Sequence, residues 1–232
     1  MANLLHMTKS GSNWSQNGLC THNIVVEYQD TATFFGVNPL PQPPIPAELL
    51  HNVAAEDMED EGNYTLMQYM DWVMNPVPVQ TSALNIPLFI CDEQQDAKPN
   101  VSIMTDSIKI LLLVQQDKQD MEAEPQLIAE AIAAFQANNY EQRCFFSQGP
   151  IAHKTMPGIV LTGTLPVFYK IPVTTKLTDS VSLGQYLPTR SSVHAHLPPV
   201  PHPACHLNEG MRPLDNRVII LSYYEAFKQF VN

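Results

Sequence analysis

The chain has 232 residues, of which 44% are hydrophobic and 15% are charged. This length predicts one large domain, or one domain with an arm, and the apolar content excludes a wholly disordered chain. No stretch approaches the roughly 18 uninterrupted apolar residues of a membrane helix. Residues 1–15 show no secretory signal, and four widely spaced cysteines are typical of reduced thiols. We therefore expect an intracellular protein, in the cytoplasm or nucleus, without a membrane partner.

The formal net charge is −11, and it is unevenly distributed. Residues 1–141 hold 4 basic and 19 acidic residues, whereas residues 142–232 hold 8 basic and 4 acidic residues. Non-specific binding to nucleic acid needs clustered lysine and arginine to displace counterions. The charge therefore disfavours nucleic acid as a partner without excluding it, and it leaves a protein partner open.

Residues 1–62 are predicted to form an N-terminal extended arm and an acidic linker. The stretch VNPLPQPPIP (Val37–Pro46) is too rich in proline for a helix or a central strand. The run EDMEDE at 56–61 is typical of a solvated linker. Residues 63–232 are predicted to form a single domain, which begins with a short amphipathic helix at Tyr64–Met74.

Apolar runs predict three strands at Ile86–Cys91, Val101–Thr105 and Lys109–Gln116. Helical spacing then predicts a helix over Pro125–Asn138. In the later chain we expect a strand pair at 159–163 and 167–171, a short helix at 174–184, a proline-rich loop at 187–203 and a last helix at 214–232. This order predicts an α+β or α/β fold with a central mixed β-sheet flanked by helices.

A candidate site lies around the second and third strands and the following helix. The second strand opens with Asn100, the third ends in Gln116-Asp117-Lys118, and the helix begins with Gln126. This layout resembles the PD-(D/E)XK (restriction-endonuclease-like) nuclease core. In that core an Asp opens the second strand, an acid-x-Lys motif closes the third, and a helical Gln completes some sites. The two carboxylates hold Mg²⁺, which polarises the phosphate and activates water.

Asn100 and Gln116 replace the two acids by neutral amides, which are poor ligands for Mg²⁺. Asp106, in the predicted turn, and Asp117, on the opposite face of the strand, are weak substitutes as metal ligands. The set Asn100, Gln116, Lys118 and Gln126 is therefore interpreted as a degenerate site. We expect no cofactor, or Mg²⁺ if nuclease activity survives.

A second, weaker metal candidate lies in the proline-rich loop. It comprises a possible zinc cluster of His194, His196, His202, Cys205 and His206. Imidazole and thiolate groups suit zinc, but the spacing matches no closed structural zinc motif, and the neighbouring prolines stiffen the loop. A plain surface loop is the favoured alternative.

At the level of the whole chain, the sequence is similar to an uncharacterised expanded family of mushroom-forming fungi. The similarity lies in six stretches, which are ATFFGVNPLPQP (Ala32–Pro43), NIPLFIC (Asn85–Cys91), ILLLVQQDK (Ile110–Lys118), EPQLIAEAIAAFQANN (Glu124–Asn139), MPGIVLTGTLPVFYKIPVT (Met156–Thr174) and EGMRPLDNRVIIL (Glu209–Leu221). The resemblance implies an Asp at position 100 and an acid at position 116 in relatives. It also implies that this chain is shortened before Asn85.

Two functions follow as hypotheses. The first is a non-catalytic or weakly active nuclease-like protein, derived from a metal-dependent phosphodiesterase. The alternative is a protein-interaction module that uses the proline-rich arm and the sheet scaffold without catalysis.

Overall fold

The computed structural model describes residues 10–43, 46–51, 85–104, 109–116, 123–145, 149–201, 210–211 and 213–231. In these ranges the strands are β1 (Ile24–Tyr28), β2 (Ile86–Ile90), β3 (Glu93–Ala97), β4 (Val101–Met104), β5 (Ile110–Gln116), β6 (His153–Thr162), β7 (Leu165–Thr174) and β8 (Ser191–His196). The helices are α1 (Gln16–Thr21), α2 (Thr31–Phe35), α3 (Ala47–His51), α4 (Ala123–Phe145), α5 (Thr175–Ser182) and α6 (Leu214–Phe227), with 3-10 turns at Gly11–Asn13 and Lys228–Phe230. No helix within these ranges has the length and hydrophobicity that crossing a bilayer requires.

Six of these strands form one mixed sheet, in the order β1-β8-β7-β6-β5-β4. The pairs β1–β8 and β5–β6 are parallel, and the other neighbours are antiparallel. Parallel neighbours need a crossover connection, and α4 supplies it between β5 and β6. β2 and β3 form a separate antiparallel hairpin. The prediction of a central mixed sheet flanked by helices is confirmed.

Helix α4 covers one face of the sheet and is buried around most of its circumference. Leu127, Ile132 and Phe135 are at most 1% exposed. The hairpin β2–β3, α1 and the first 3-10 turn pack against the helix in addition to the sheet. Gly158 in β6 permits the close approach, because a Cβ there would lie 2.9 Å from Leu127 Cδ2.

Aromatic side chains cover the opposite face of the sheet. Phe34 and Phe35 from α2 pack with Phe168 from β7 and with Tyr223 and Phe227 from α6. The Phe34 and Phe35 rings meet edge-on with centroids 4.9 Å apart, and the Phe168 and Phe227 rings are tilted with centroids 4.8 Å apart. The sheet is therefore the middle layer of a three-layer α/β arrangement.

The described part of residues 1–62 contains the helices α1, α2 and α3 as well as extended chain. Residues 24–28 form the edge strand β1, which pairs with β8, and Trp14 and Leu19 are buried in the core on the α4 side. Prolines and acids dominate the sequence pattern of this region, so the short strand IVVEY is easily missed. The boundary at residue 62, the acidic run and the helix predicted at 64–74 lie outside the described residues.

The structure corrects the loop predicted at 187–203, because β8 (Ser191–His196) lies within it. The segment SSVHAH shows little hydrophobic alternation, and the prolines lie before and after it. Its strand conformation comes from pairing with β1 on one side and β7 on the other. Local sequence does not reveal such pairing between distant segments.

Asparagine and glutamine side chains of α4 form hydrogen bonds with both the N–H and the C=O of a residue in a nearby strand. Asn138 Oδ1 accepts from the Ile110 N–H at 2.9 Å, and its Nδ2 donates to the Ile110 carbonyl at 3.0 Å. Gln136 makes the same pair of bonds with Phe89, at 3.0 and 3.1 Å. The helix therefore fixes the first residue of β5 by hydrogen bonds as well as by packing.

Replacing Asn138 by leucine is expected to lower the free energy of unfolding by about 2–4 kcal/mol. Leucine keeps the approximate shape of asparagine but removes the hydrogen bonds to the N–H and C=O of Ile110. Asn138 and Ile110 are each only 3% exposed, so water does not readily replace these bonds. Urea denaturation of the wild type and the variant measures this difference.

Gln136→Leu is the matched control, since it removes the corresponding two bonds to Phe89, together with a bond to Ser182 Oγ, at a place near solvent. Phe89 is 49% exposed, so water can replace the lost partners and the expected loss is under about 1 kcal/mol. Equal losses in the two variants would contradict the role assigned to burial.

Candidate functional site

The first turn of α4 lies at the carboxyl end of β5, where two carboxamides meet. Gln115 Nε2 donates to Gln126 Oε1 at 3.0 Å, and Gln126 Nε2 donates to the Ser12 carbonyl at 2.8 Å. Gln115 is 8% exposed, and its Oε1 is buried without a hydrogen-bond partner among the described residues. Neutral amides therefore occupy the junction between the strand and the helix.

Asn100 lies at the same end of the sheet. Val101 is opposite Val114 in the β4–β5 pair, and one further step along this register brings Asn100 opposite Gln115. Residues directly opposite each other in an antiparallel pair share a face of the sheet. The register therefore places Asn100 beside Gln115, the neighbour of Gln126, as a third amide-bearing residue.

The structure describes only part of the predicted set of site residues. Gln116 ends β5 and pairs with Leu161 in β6, but its side chain is outside the description. Lys118, Asp106 and Asp117 also lie outside the described residues. Convergence of Asn100, Gln116 and Lys118 therefore stays a prediction.

A carboxylate with two tyrosine partners lies beside the amides. Glu124 Oε2 accepts hydrogen bonds from the hydroxyls of Tyr169 at 2.9 Å and Tyr28 at 3.2 Å. Burial, and then the neighbouring carboxylate, raise the pKa of Tyr169 well above its ordinary value. Burial likewise raises the pKa of Tyr28. Both hydroxyls therefore stay protonated at neutral pH and remain donors to Glu124.

Glu130 lies one helical turn after Gln126 and is 1% exposed. Its Oε2 is buried, and no group in the described part of the chain forms a hydrogen bond with it. Burial raises the pKa of Glu130 to about 8, because the charged form loses its hydration. At neutral pH the side chain is therefore mainly a neutral carboxylic acid.

The described side chains do not fit Mg²⁺, the ion that a nuclease-like site implies. Mg²⁺ prefers carboxylate and water oxygens in octahedral geometry, but Gln115 offers a neutral amide oxygen and Glu124 Oε2 already accepts two hydroxyls. In the described ranges, no three His, Cys, Asp or Glu side chains are grouped as metal ligands. The chemistry available to these described side chains is hydrogen bonding rather than activation of water.

Two residues of the predicted zinc cluster lie on β8. Gln29 forms a hydrogen bond with each of them. Its carbonyl accepts from His196 Nδ1 at 2.9 Å, and its Nε2 donates to His194 Nδ1 at 2.8 Å. The His196 ring packs against Phe34 and Phe35, and burial lowers the pKa of His196. His202, Cys205 and His206 lie outside the described residues, so the zinc site stays a prediction.

Sequence patterns do not mark Gln115, Glu124, Tyr28 or Tyr169 as members of the site. The Glu-Pro-Gln start of α4 signalled a helix N-terminus, but it did not reveal side-chain partners. The tyrosines come from β1 and β7, which are distant in sequence and meet only through the sheet. No family model, curated protein or solved structure matches the chain, so the fungal family and the nuclease-like core stay predictions.

The raised pKa of Glu130 predicts a pH-dependent stability. Between about pH 4.5 and 8 the folded protein keeps a proton that the unfolded chain releases, so the free energy of unfolding falls as the pH rises. The slope from this one group is at most about 1.4 kcal/mol per pH unit. Glu130→Gln removes this contribution to the slope and is expected to stabilise the protein at pH 8, as urea denaturation between pH 5 and 8 will measure.

Glu93→Gln serves as the control, because it removes an exposed carboxylate from β3. This variant should retain the pH slope of the wild type. An unchanged slope in Glu130→Gln would show that Glu130 does not carry the proton.

Proposed function

We propose that the chain is a non-catalytic or weakly active nuclease-like protein, with a PD-(D/E)XK-like core derived from a metal-dependent phosphodiesterase. The observation that carries the proposal is the hydrogen-bonded pair Gln115–Gln126 at the carboxyl end of β5. In a nuclease-like core this junction holds the metal-binding carboxylates. Here neutral amides occupy it, and Asn100 lies in register beside them.

The order of elements supports the proposal. β4 and β5 are antiparallel neighbours, and the next described element is α4, with Gln126 in its first turn. This is the strand, strand and helix sequence that the resemblance implies. One element departs from the arrangement, because β2 pairs with β3 in a separate hairpin instead of joining the central sheet.

The electrostatics explain why activity would be low. Hydrolysis of a phosphodiester through Mg²⁺ needs carboxylates to hold the ion and lower the pKa of its water. Among the described residues, the buried carboxyl of Glu130 is mainly protonated at neutral pH, and Glu124 is hydrogen-bonded to two tyrosines. A site built in this way can hold a ligand by hydrogen bonds but offers little charge to a metal.

The test measures cleavage of single- and double-stranded DNA and RNA with Mg²⁺ or Mn²⁺. The wild type is expected to show no metal-dependent cleavage, or a weak one, because both acids of the motif are amides. The double variant Asn100→Asp with Gln116→Glu restores the acid two residues before Lys118. It is expected to increase cleavage by about a hundredfold or more.

Asn100→Asp with Gln94→Glu is the matched control, since it adds the same two charges but places the second acid on the exposed hairpin strand β3. This control is expected to gain no activity. Strong wild-type cleavage that Lys118→Ala abolishes would contradict the non-catalytic assignment. Failure of Asn100→Asp with Gln116→Glu to gain cleavage would contradict the nuclease origin.

A protein-interaction module is the second candidate, because the proline segment is displayed on the surface. Val37, Pro39 and Pro41 are exposed, whereas Leu40 packs against the aromatic core beside α6. A proline-rich segment of this kind fits the aromatic grooves of domains that bind polyproline helices. The segment is thus anchored on the body while several of its prolines face solvent.

Replacing Val37 and Pro41 together by alanine tests the module. If the chain acts through this segment, a partner captured by the wild type in a pull-down should be lost with the double variant. The variant should keep the wild-type melting temperature within a few degrees, because both side chains are exposed and such substitutions have small effects. A partner retained equally by both proteins would exclude the proline segment as the contact.

A further inference from the structure

Exposed hydrophobic side chains surround a hydrogen-bonded junction between β2, α4 and the end of α5. Gln136 Nε2 donates to the Phe89 carbonyl and to Ser182 Oγ, each at 3.1 Å, and Ser182 Oγ donates to the Phe89 carbonyl at 3.3 Å. Leu183 follows Ser182 directly, and Tyr140 lies one helical turn after Gln136. Phe89, Tyr140 and Leu183 therefore border the same area of the surface.

The hydrophobic patch formed by Phe89, Tyr140 and Leu183 leaves about half of each residue in contact with water. Phe89 is 49% exposed, Tyr140 63% and Leu183 45%. Single exposed hydrophobic residues are ordinary, whereas a group of them that includes aromatic rings is typical of a surface that binds another protein. Because the bonds of Gln136 and Ser182 hold the three elements together, the patch is formed before any partner arrives.

Exposed carboxylates flank the Leu183 side of the patch. The Asp92 N–H donates to the carbonyl of the residue before Leu183 at 2.6 Å, and the Asp179 carbonyl accepts from the Leu183 N–H at 2.9 Å. Neither Asp92 nor Asp179 forms an ion pair within the described ranges, and both are exposed. Glu93 adds a third exposed carboxylate at the tip of the hairpin, whereas α5 contributes the ammonium of Lys176. This side of the patch is therefore net negative.

We propose that the hydrophobic patch binds a basic amphipathic segment of a partner protein. Apolar side chains on one face of the segment would cover the three hydrophobic residues, and lysine or arginine beside that face would pair with Asp92 and Asp179. Burial of the apolar surface supplies affinity, and the opposite charges fix the orientation. A second copy of this chain fits less well, because a symmetric contact would bring its carboxylates against those of the first copy.

The hydrophobic patch lies apart from the surfaces used in the proposed functions. Gln136 is about 15 Å along α4 from Gln126 and its amide neighbours, at a rise of about 1.5 Å per residue. The proline segment packs through Leu40 against the aromatic core, on the opposite face of the sheet. The docking proposal therefore does not depend on the nuclease-like assignment or on the proline segment, and each can fail without the others.

The experiment is isothermal titration of the full chain, at low ionic strength, with two synthetic helical peptides of equal positive charge. One peptide carries leucine on one face and lysine on the other, and the second replaces each leucine by alanine. The wild type is expected to bind the leucine–lysine peptide at least about tenfold more tightly, because leucine buries more apolar surface against the patch. Equal affinity for the two peptides, or no binding of either, would overturn the proposal.

Phe89→Ser and Tyr140→Ser should each weaken binding of the leucine–lysine peptide by about fivefold or more. Val218→Ser is the matched control, since it removes a hydrophobic side chain that is 40% exposed on α6, and it should keep the wild-type affinity. An affinity that neither patch variant lowers, or that Val218→Ser lowers equally, would overturn the proposal.

The charge of the partner is tested by Asp92→Asn combined with Asp179→Asn, which should weaken binding of the same peptide by about threefold or more at low ionic strength. Unchanged affinity would overturn the assignment of a basic partner. Sedimentation velocity of the wild type is expected to show a monomer. A dimer that Phe89→Ser dissociates would give the patch to a second copy and would also overturn the proposal.

Discussion

Helix α4 is buried on most sides, and this burial positions the strands that pack against it. A helix that is covered by the sheet, by a hairpin and by the N-terminal segment has few positions at which polar groups reach water. Its carboxamides therefore bond the backbone of their neighbours. Asn139 bonds both backbone groups of Ile151 at 2.8 and 3.2 Å, as Asn138 does with Ile110 on β5. These hydrogen bonds tie the position of the helix to the positions of the backbone at the starts of the strands.

The same burial decides the chemistry at the start of the helix. Gln126 is held between Gln115 and the Ser12 carbonyl, and Glu130 one turn later is kept mainly protonated by the loss of hydration. The described junction between β5 and α4 is therefore poor in charge, where metal-dependent hydrolysis needs carboxylates. This environment favours a hydrogen-bonding or structural role, and it is the physical basis of the non-catalytic proposal.

Sequence patterns predicted the elements whose signals are local. The apolar run of β5 and the Pro-containing start of α4 were recognised, although the helix extends to Phe145 because its last turns follow tertiary packing. β8 was missed, because SSVHAH becomes a strand only through pairing with β1 and β7. In the site, Gln126 was identified from the motif. Gln115 was not, because the motif alone does not show which of two adjacent glutamines faces the helix.

Native-state hydrogen exchange of α4 measures how tightly burial holds this helix. If burial of the helix fixes the site, the amides of Leu127–Phe135 exchange only through global unfolding, and their opening free energy equals the unfolding free energy from urea denaturation. Amides of the hairpin β2–β3 should open at lower cost, because alternate residues of β2 (Pro87 and Phe89) and the first two residues of β3 (Glu93 and Gln94) are exposed. Exchange of the α4 amides with an opening free energy at or below that of the hairpin would contradict the account.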